Sequence, residues 1–271
     1  MKPTPLRDRP FRLGTTSFIY PDHILPNVRR LGPFFDEIEL LVFESMPKEV
    51  LPSRSEIREL GRLSGKLNLT YNVHLPTDIR LTHPSDTQQE RAADTLFQVM
   101  ERLAPLNPTT HTLHLPMDRG VNTPEAFQAW EARARKGLEL LVDRLADPGR
   151  LCLETLWYAP GCLGRLVTDF GLALCVDAGH HFKYGHDLGT TFGRHRHQIP
   201  IVHLHGVDFS GPSPKDHTSL DKLPSELFSQ VVRLLTDYGG TVSLEVFTLE
   251  NLARSLARLS LVFADIPTLE S

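Results

Sequence analysis

Short apolar runs alternate with longer stretches whose apolar residues recur every three or four positions, from one end of the chain to the other. The short runs are "FRLGTTSF" (11–18), "EIELLVFES" (37–45), "LTYNVHLP" (69–76), "THTLHLP" (110–116), "RLCLETL" (150–156), "LALCVDAG" (172–179), "PIVHLHGVD" (200–208) and "TVSLEVFT" (241–248). Each has the length and near-continuous hydrophobicity of a strand buried on both faces, as in a parallel sheet. Between them, "SRSEIRELGRLSGKL", "DTQQERAADTLFQVMERL", "EAFQAWEARARKGLELLVDRL" and "SELFSQVVRLLTDYG" carry helical periodicity, and "LENLARSLARLSLVFA" supplies a final helix. Ser53, Asp86, and Thr123 with Pro124 after it have the chemistry of helix N-caps, and "YGG" at 238–240 that of a helix stop. Eight strands, each followed by a helical segment, predict a single (β/α)8 barrel over 11–271, with 1–10 as an N-terminal extension.

Composition changes this picture little and narrows the function. The chain has 271 residues, 40% of them hydrophobic and 23% charged, as expected of one soluble α/β domain. A net charge of −4 argues against a nucleic-acid surface, which would carry a basic stripe. No apolar run reaches the roughly 18 residues that a membrane span needs, and "MKPTPLRDRP" has no signal-peptide core. Cys152, Cys162 and Cys175 have no metal-binding spacing and form no even disulfide framework, so a cytoplasmic setting is expected.

The chemistry is concentrated where this fold places active sites, at the C-terminal ends of the strands. "YNVHLP" and "HTLHLP" deliver His74 and His114, "CLETL" delivers Glu154, and "CVDAGHH" delivers Asp177 with His180 three residues on. "VHLHG" brings His203 and His205, "KDHTSL" brings His217 beside Lys215, and "SLEVF" brings Glu245. A lone histidine at a strand end is usually a rim residue. Six consecutive strands ending in metal-competent side chains are another matter, because clustered imidazoles and carboxylates are costly to desolvate unless a cation pairs them. The donor set suits Zn²⁺, Mn²⁺ or Fe²⁺. It exceeds the needs of one ion, so two or more are expected, with Glu154 in a position to bridge. His180 and His217 could serve a third ion or the substrate. His181, His195 and His197 are expected in solvent, and His23, His83, His111 and His186 have no expected role in the site.

The ordered set His74, His114, Glu154, Asp177, His180, His203, His217, Glu245 resembles the metal ligands of the xylose-isomerase-like barrels, and most nearly their family-2 apurinic endonuclease branch. Sugar isomerases and epimerases of that superfamily use one metal on a set that here would be Glu154, Asp177, His203 and Glu245. His74 and His114 are the additions that the multinuclear, phosphodiester-cleaving branch requires. That branch has an aspartate two residues before the loop histidine, where this chain has Lys215 with Asp216 next to it. "LGTTSFIYPDHILPNVRRLGPFFDEIELLVFES", "YNVHLPTDI", "HTLHLP", "VTDF", "HLHGV", "DHTSLD" and "VSLEVF" further resemble the cobamide-remodelling phosphodiesterases. That resemblance implies hydrolysis of the nucleotide loop of a small-molecule corrinoid to cobinamide phosphate and the lower-ligand riboside.

The residues themselves support metal-assisted phosphoester hydrolysis. Glu154, Glu245 and His180 are the expected catalytic groups. His205, Lys215 and two rim residues, Tyr20 and Glu44, are the expected substrate contacts. A metal-dependent sugar isomerase or epimerase is the first alternative, and it leaves His74 and His114 without a role. Abasic-site repair would need basic loops that the chain lacks. A non-catalytic corrinoid- or sugar-binding barrel would need no water-activating cluster.

Overall fold

The structure, a computed structural model, describes residues 7–42 and 51–269. Eight parallel strands close into a barrel: β1 (Arg12–Thr16), β2 (Glu37–Leu41), β3 (Thr70–His74), β4 (His111–Leu113), β5 (Leu151–Glu154), β6 (Ala173–Asp177), β7 (Ile201–Leu204) and β10 (Thr241–Leu244). Sequential strands are neighbours, and β1 pairs with β10 to shut the ring, with Gly14 opposite Ser243. Gly14 is also at a close approach, since a Cβ there would lie 3.1 Å from the Glu37 carbonyl oxygen.

Helices cover the outside: α1 (Ile24–Leu31), α2 (Arg54–Leu67), α3 (Asp86–Leu103), α4 (Pro124–Val142), α5 (Gly161–Asp169), α6 (Ala178–Tyr184), α7 (Leu188–His195), α8 (Ser225–Leu235) and α9 (Leu249–Ser260). Ser53 and Glu56 form a reciprocal capping box on α2, and the Thr123 hydroxyl accepts from the Ala126 N–H with Pro124 in the first turn of α4. Two local expectations differ. Asp86 lies inside the first turn of α3, and the capping position falls to Ser85. The run Tyr238–Gly240 does not stop α8, which ends at Leu235. Gly240 is instead where the chain passes the Tyr238 ring and the Pro200 carbonyl too closely for a side chain.

The largest difference is in the seventh unit. Residues 200–208 read as one strand, but β7 leaves the barrel after Leu204. The chain turns at His205 and continues as β8 (Gly206–Asp208), which pairs antiparallel with β9 (Lys215–Thr218). A Cβ on Gly206 would fall 2.0 Å from the Ser219 carbonyl oxygen, so only glycine lets the hairpin close here. The apolar pattern continues across the break because Val207 is fully buried as well, and periodicity cannot report which sheet a residue joins.

Aliphatic side chains between barrel and helices form the main core, with Trp130, Tyr71, Ile38 and Leu204 at or near zero exposure. The barrel interior is polar for a buried layer. Glu37 accepts from Asn72, Thr70 and Thr109 at 2.8, 2.6 and 2.9 Å, which satisfies a carboxylate that would otherwise be costly to bury. Cys152 and Cys175 sit beside Ala173 and Ile201 as small apolar fillers, with the Cys175 thiol pushed by burial up to about 12. No helix among the described residues is long and apolar enough to cross a membrane. At the N-terminal end of the described chain, Arg7 bridges to Phe263 just after α9.

Candidate metal centre

The parallel barrel points all eight strand ends one way, so residues far apart in sequence meet at one mouth. Glu154, the last residue of β5 and 1% exposed, is at the centre. Its Oε2 lies 3.2 Å from His74 Nε2 and 2.8 Å from His114 Nε2. Its Oε1 faces the other way, 3.6 Å from His203 Nδ1 and 3.7 Å from His180 Nδ1. One carboxylate thus divides its two oxygens between two groups of donors. Donor atoms of Glu154, Asp177, His203 and Glu245 all lie within 4.8 Å of one another, as do those of His74, Glu154 and His203, and those of His180, His205 and His217.

Backbone carbonyls aim the imidazoles. His74 Nδ1 lies 2.9 Å from the Leu75 carbonyl oxygen, His180 Nδ1 3.2 Å from that of Thr155, and His217 Nδ1 3.1 Å from that of Glu245. A carbonyl only accepts, so Nδ1 carries the proton in each ring and Nε2 is left for the site. His203 is reversed. Its Nε2 donates to Glu39 Oε1 at 2.9 Å, and Glu39 Oε2 accepts from the Ser243 hydroxyl at 2.8 Å. His203 Nδ1 therefore faces the carboxylates, 3.2 Å from Glu245 Oε2. His203 Nδ1 and Glu245 Oε2 are both buried with no hydrogen-bond partner among the described residues. His203 Nδ1 and Glu245 Oε2 converge with Glu154 and Asp177 as a compact buried set of nitrogen and carboxylate donors, and these residues therefore fit a divalent ion.

The electrostatics agree. Burial opposes the charged form of Glu154, yet His114 and His203 hold its carboxyl well below the usual range. Burial likewise opposes ionised Glu245, but His203 and His217 bring it down to about 2. Asp177 is depressed despite burial, chiefly by His180 and His205. Burial would lower His74, but the Glu154 hydrogen bond and charge raise it to about 9, and Asp177 does the same for His205. The buried carboxylates are thus compensated by protonated imidazoles, and a divalent ion held here would compete with those protons.

Asp177 ends β6 and also caps α6, accepting the His180 N–H at 2.7 Å. His205, at the break after β7, has Nε2 3.1 Å from Asp177 Oδ1 and Nδ1 3.0 Å from the His217 backbone nitrogen and 3.1 Å from the Gly206 carbonyl oxygen. Its ring packs against Gly179, where a Cβ would come within 2.0 Å of it. His217 sits in β9 with φ of 52°, the left-handed region, which turns its ring onto His205 at 4.2 Å and against Phe247 at 4.9 Å.

Eight of the expected residues are therefore brought together: His74, His114, Glu154, Asp177, His180, His203, His217 and Glu245, with His205 against them. Lys215 is not. Its side chain is exposed on the hairpin opposite Asp208, and the neighbouring Asp216 turns inward instead, 3.8 Å from His180 Nε2. Tyr20 follows β1 half-buried, with the Arg30 guanidinium 4.6 Å over its ring. Glu44 lies outside the described residues. His181, expected in solvent, is fully buried, with its ring 2.8 Å from the Asp177 carbonyl oxygen and 3.1 Å from the Thr191 hydroxyl. Glu39 and Lys183 are additions that the sequence reading missed. Glu39 alternates with apolar residues in "EIELL", an interior position, which was the signal available for it.

Residues 25–261 match the family described as the xylose isomerase-like TIM barrel. A search of curated proteins finds no match. Among solved structures, the chain is similar to a D-tagatose 3-epimerase-like protein at 16% identity and TM-score 0.72, covering 92% of this chain and 96% of that one. It is similar to endonuclease IV from Thermus thermophilus at 19% identity and TM-score 0.65, covering 92% and 97%. A further Thermus thermophilus protein, in crystals soaked with ZnCl2, is 22% identical with TM-score 0.67 over 93% and 96%. At these identities the likeness is one of fold.

Proposed function

The chain belongs to the xylose isomerase-like TIM-barrel family, and from that premise we propose that it is a metal-dependent phosphodiesterase that opens the nucleotide loop of a cobamide. One observation carries the reaction class. His74 and His114 both converge on Glu154 Oε2, opposite the oxygen that faces His180 and His203. A single ion on Glu154, Asp177, His203 and Glu245 would leave that second pair of imidazoles with no task. The corrinoid as substrate rests on the sequence resemblance, and the exposed rings of Phe18 and Phe209, at 42% and 40%, leave apolar surface on connections beyond the strand ends for a large ligand.

When bound, divalent ions here would lower the pKa of water and neutralise charge on phosphate oxygens. His74, His114 and Glu154 would hold one, and Glu154, Asp177, His203 and Glu245 the other. Glu39 keeps His203 in the tautomer that presents Nδ1, and His205 orients Asp177. His180 and His217, with ring centroids 5.8 Å apart beside His205, would pass a proton to the leaving oxygen. Water oxygen bonds to phosphorus, the bond from phosphorus to the riboside oxygen breaks, and the proton goes to the riboside hydroxyl.

A second reading has its own support. Glu154, Asp177, His203 and Glu245 by themselves make a compact one-ion site, and the similar folds include an epimerase-like protein. One experiment separates the two readings. The protein, loaded in turn with Zn²⁺, Mn²⁺ and Fe²⁺, is incubated anaerobically with adenosylcobalamin or with a ketose panel in heavy-oxygen water. Cobinamide phosphate carrying the label in its phosphate, beside unlabelled riboside, is the expected result. Ketose interconversion without any phosphate-bearing product, or label on the riboside hydroxyl, would overturn the proposal.

A further inference from the structure

The third donor group, His180, His205 and His217, invites a third ion, but a protein cation already stands beside it. Lys183 lies one helical turn after His180 at the end of α6, and its Nζ donates to Asp216 Oδ2 at 2.6 Å. The same oxygen is 3.8 Å from His180 Nε2, the nitrogen left open by the bond from Nδ1 to the Thr155 carbonyl. Lys183 and Asp216 are 21% and 22% exposed, so the pair sits at the lip of the site and not in bulk solvent. The elements around it are fixed. His205 spends its Nε2 on Asp177 and its Nδ1 on the His217 N–H, so it has no nitrogen free for an ion without giving up a bond. Among the described residues, Asp216 is the one carboxylate next to His180 that is not already surrounded by the buried histidines, and the ammonium has taken it.

We propose that the Lys183 ammonium takes the place of a third divalent ion, so that the working centre holds two ions and one fixed protein charge. The proposal rests on the phosphodiesterase reading for its chemical purpose. A fixed ammonium is a point charge suited to a non-bridging phosphate oxygen, and Asp216 takes one of its three donors and sets its position. A divalent ion on His180 and His217 would be repelled by that ammonium and would have to win Asp216 from it. The arrangement also accounts for the loop sequence "KDH". The aspartate one residue closer to the histidine points at Lys183, and Lys215, in the next position, can remain on the surface.

The test counts ions without using activity, so it reads independently of whether cobamides are the substrate. Purified protein, stripped and then titrated with Zn²⁺ or Mn²⁺ by equilibrium dialysis, is expected to bind two ions and to show no third as the concentration rises past saturation. Lys183→Ala frees Asp216 and is expected to gain a third equivalent, while Lys183→Arg, which keeps the charge, stays at two. Thermal unfolding of each variant confirms that the fold is kept, as expected for a part-exposed residue at a helix end. A third ion on the wild-type protein, or a Lys183→Ala variant that remains at two, would overturn the assignment. With two ions loaded, Lys183→Ala should lose ten-fold or more in kcat/KM on a phosphodiester while Lys183→Arg retains most of it. Equal losses in the two variants would refute the charge role.

Discussion

Glu39 shows how much a single residue below the site controls. It is fully buried in β2 and accepts from both His203 and Ser243. With Oε2 taken by the Ser243 hydroxyl and Oε1 by His203 Nε2, its carboxyl decides which nitrogen of His203 faces Glu154 and Glu245. In Glu39→Gln the amide can also donate, and the tautomer is no longer fixed. Affinity for the ion on His203 is expected to fall by roughly 10–100-fold, read by competition with a chromogenic chelator. Thermal stability of the ion-free protein should change much less. Unchanged affinity would show that His203 needs no orienting partner.

At the scale of elements, the β8–β9 hairpin, a two-stranded sheet of its own outside the barrel, completes the site. It supplies His217 and Asp216, and it hinges at Gly206, where the Ser219 carbonyl leaves no room for a side chain. Gly206→Ala must push the hairpin away from the barrel while β7 keeps its pairing to β6 and β10. Amide exchange at 215–218 is expected to speed up, with exchange in the barrel strands unchanged and activity largely lost. Uniformly faster exchange would mean that the hairpin is part of the global folding unit and not a separable one. The α6 helix has a similar double duty. Asp177 caps it and serves as a ligand, so the strand end and the first helical turn hold one another in place.

For the molecule as a whole, the opposite end of the barrel adds its own contribution to acid stability. His111 begins β4 at 8% exposure with neither ring nitrogen hydrogen-bonded among the described residues, and burial together with the Arg150 charge lowers it from 6.5 to about 4. The folded state keeps this imidazole neutral, whereas the unfolded chain takes up a proton below pH 6.5. The contribution is therefore present in full above that pH and is lost as pH falls toward 4, by roughly 3 kcal/mol. His111→Phe removes the titration and should move the acid-unfolding midpoint to lower pH, followed by circular dichroism. The depressed carboxylates of the metal centre add loss in the same direction, so the comparison with wild type, and not the wild-type curve alone, isolates His111. An unchanged midpoint would mean that the ring finds a partner on protonation.

The barrel was legible in the sequence because its cause is local. Apolar runs of strand length alternating with helical periodicity, repeated eight times, leave few topologies, and the C-terminal ends of parallel strands must share a mouth. That same rule gathered His74, His114, Glu154, Asp177, His203 and Glu245 from residue types and positions alone. What depends on orientation was not legible. The exit of the chain at His205 and the inward turn of Asp216 in place of Lys215 go with close approaches at Gly206 and Gly179 and a left-handed backbone at His217, and the burial of His181 goes with its contacts to the Asp177 carbonyl and the Thr191 hydroxyl. None of these leaves a periodic trace. Glu39 and Lys183 entered only with the fold, since neither ends a strand, and each matters through the one partner that tertiary packing brings to it: the far nitrogen of His203 for one, the free oxygen of Asp216 for the other.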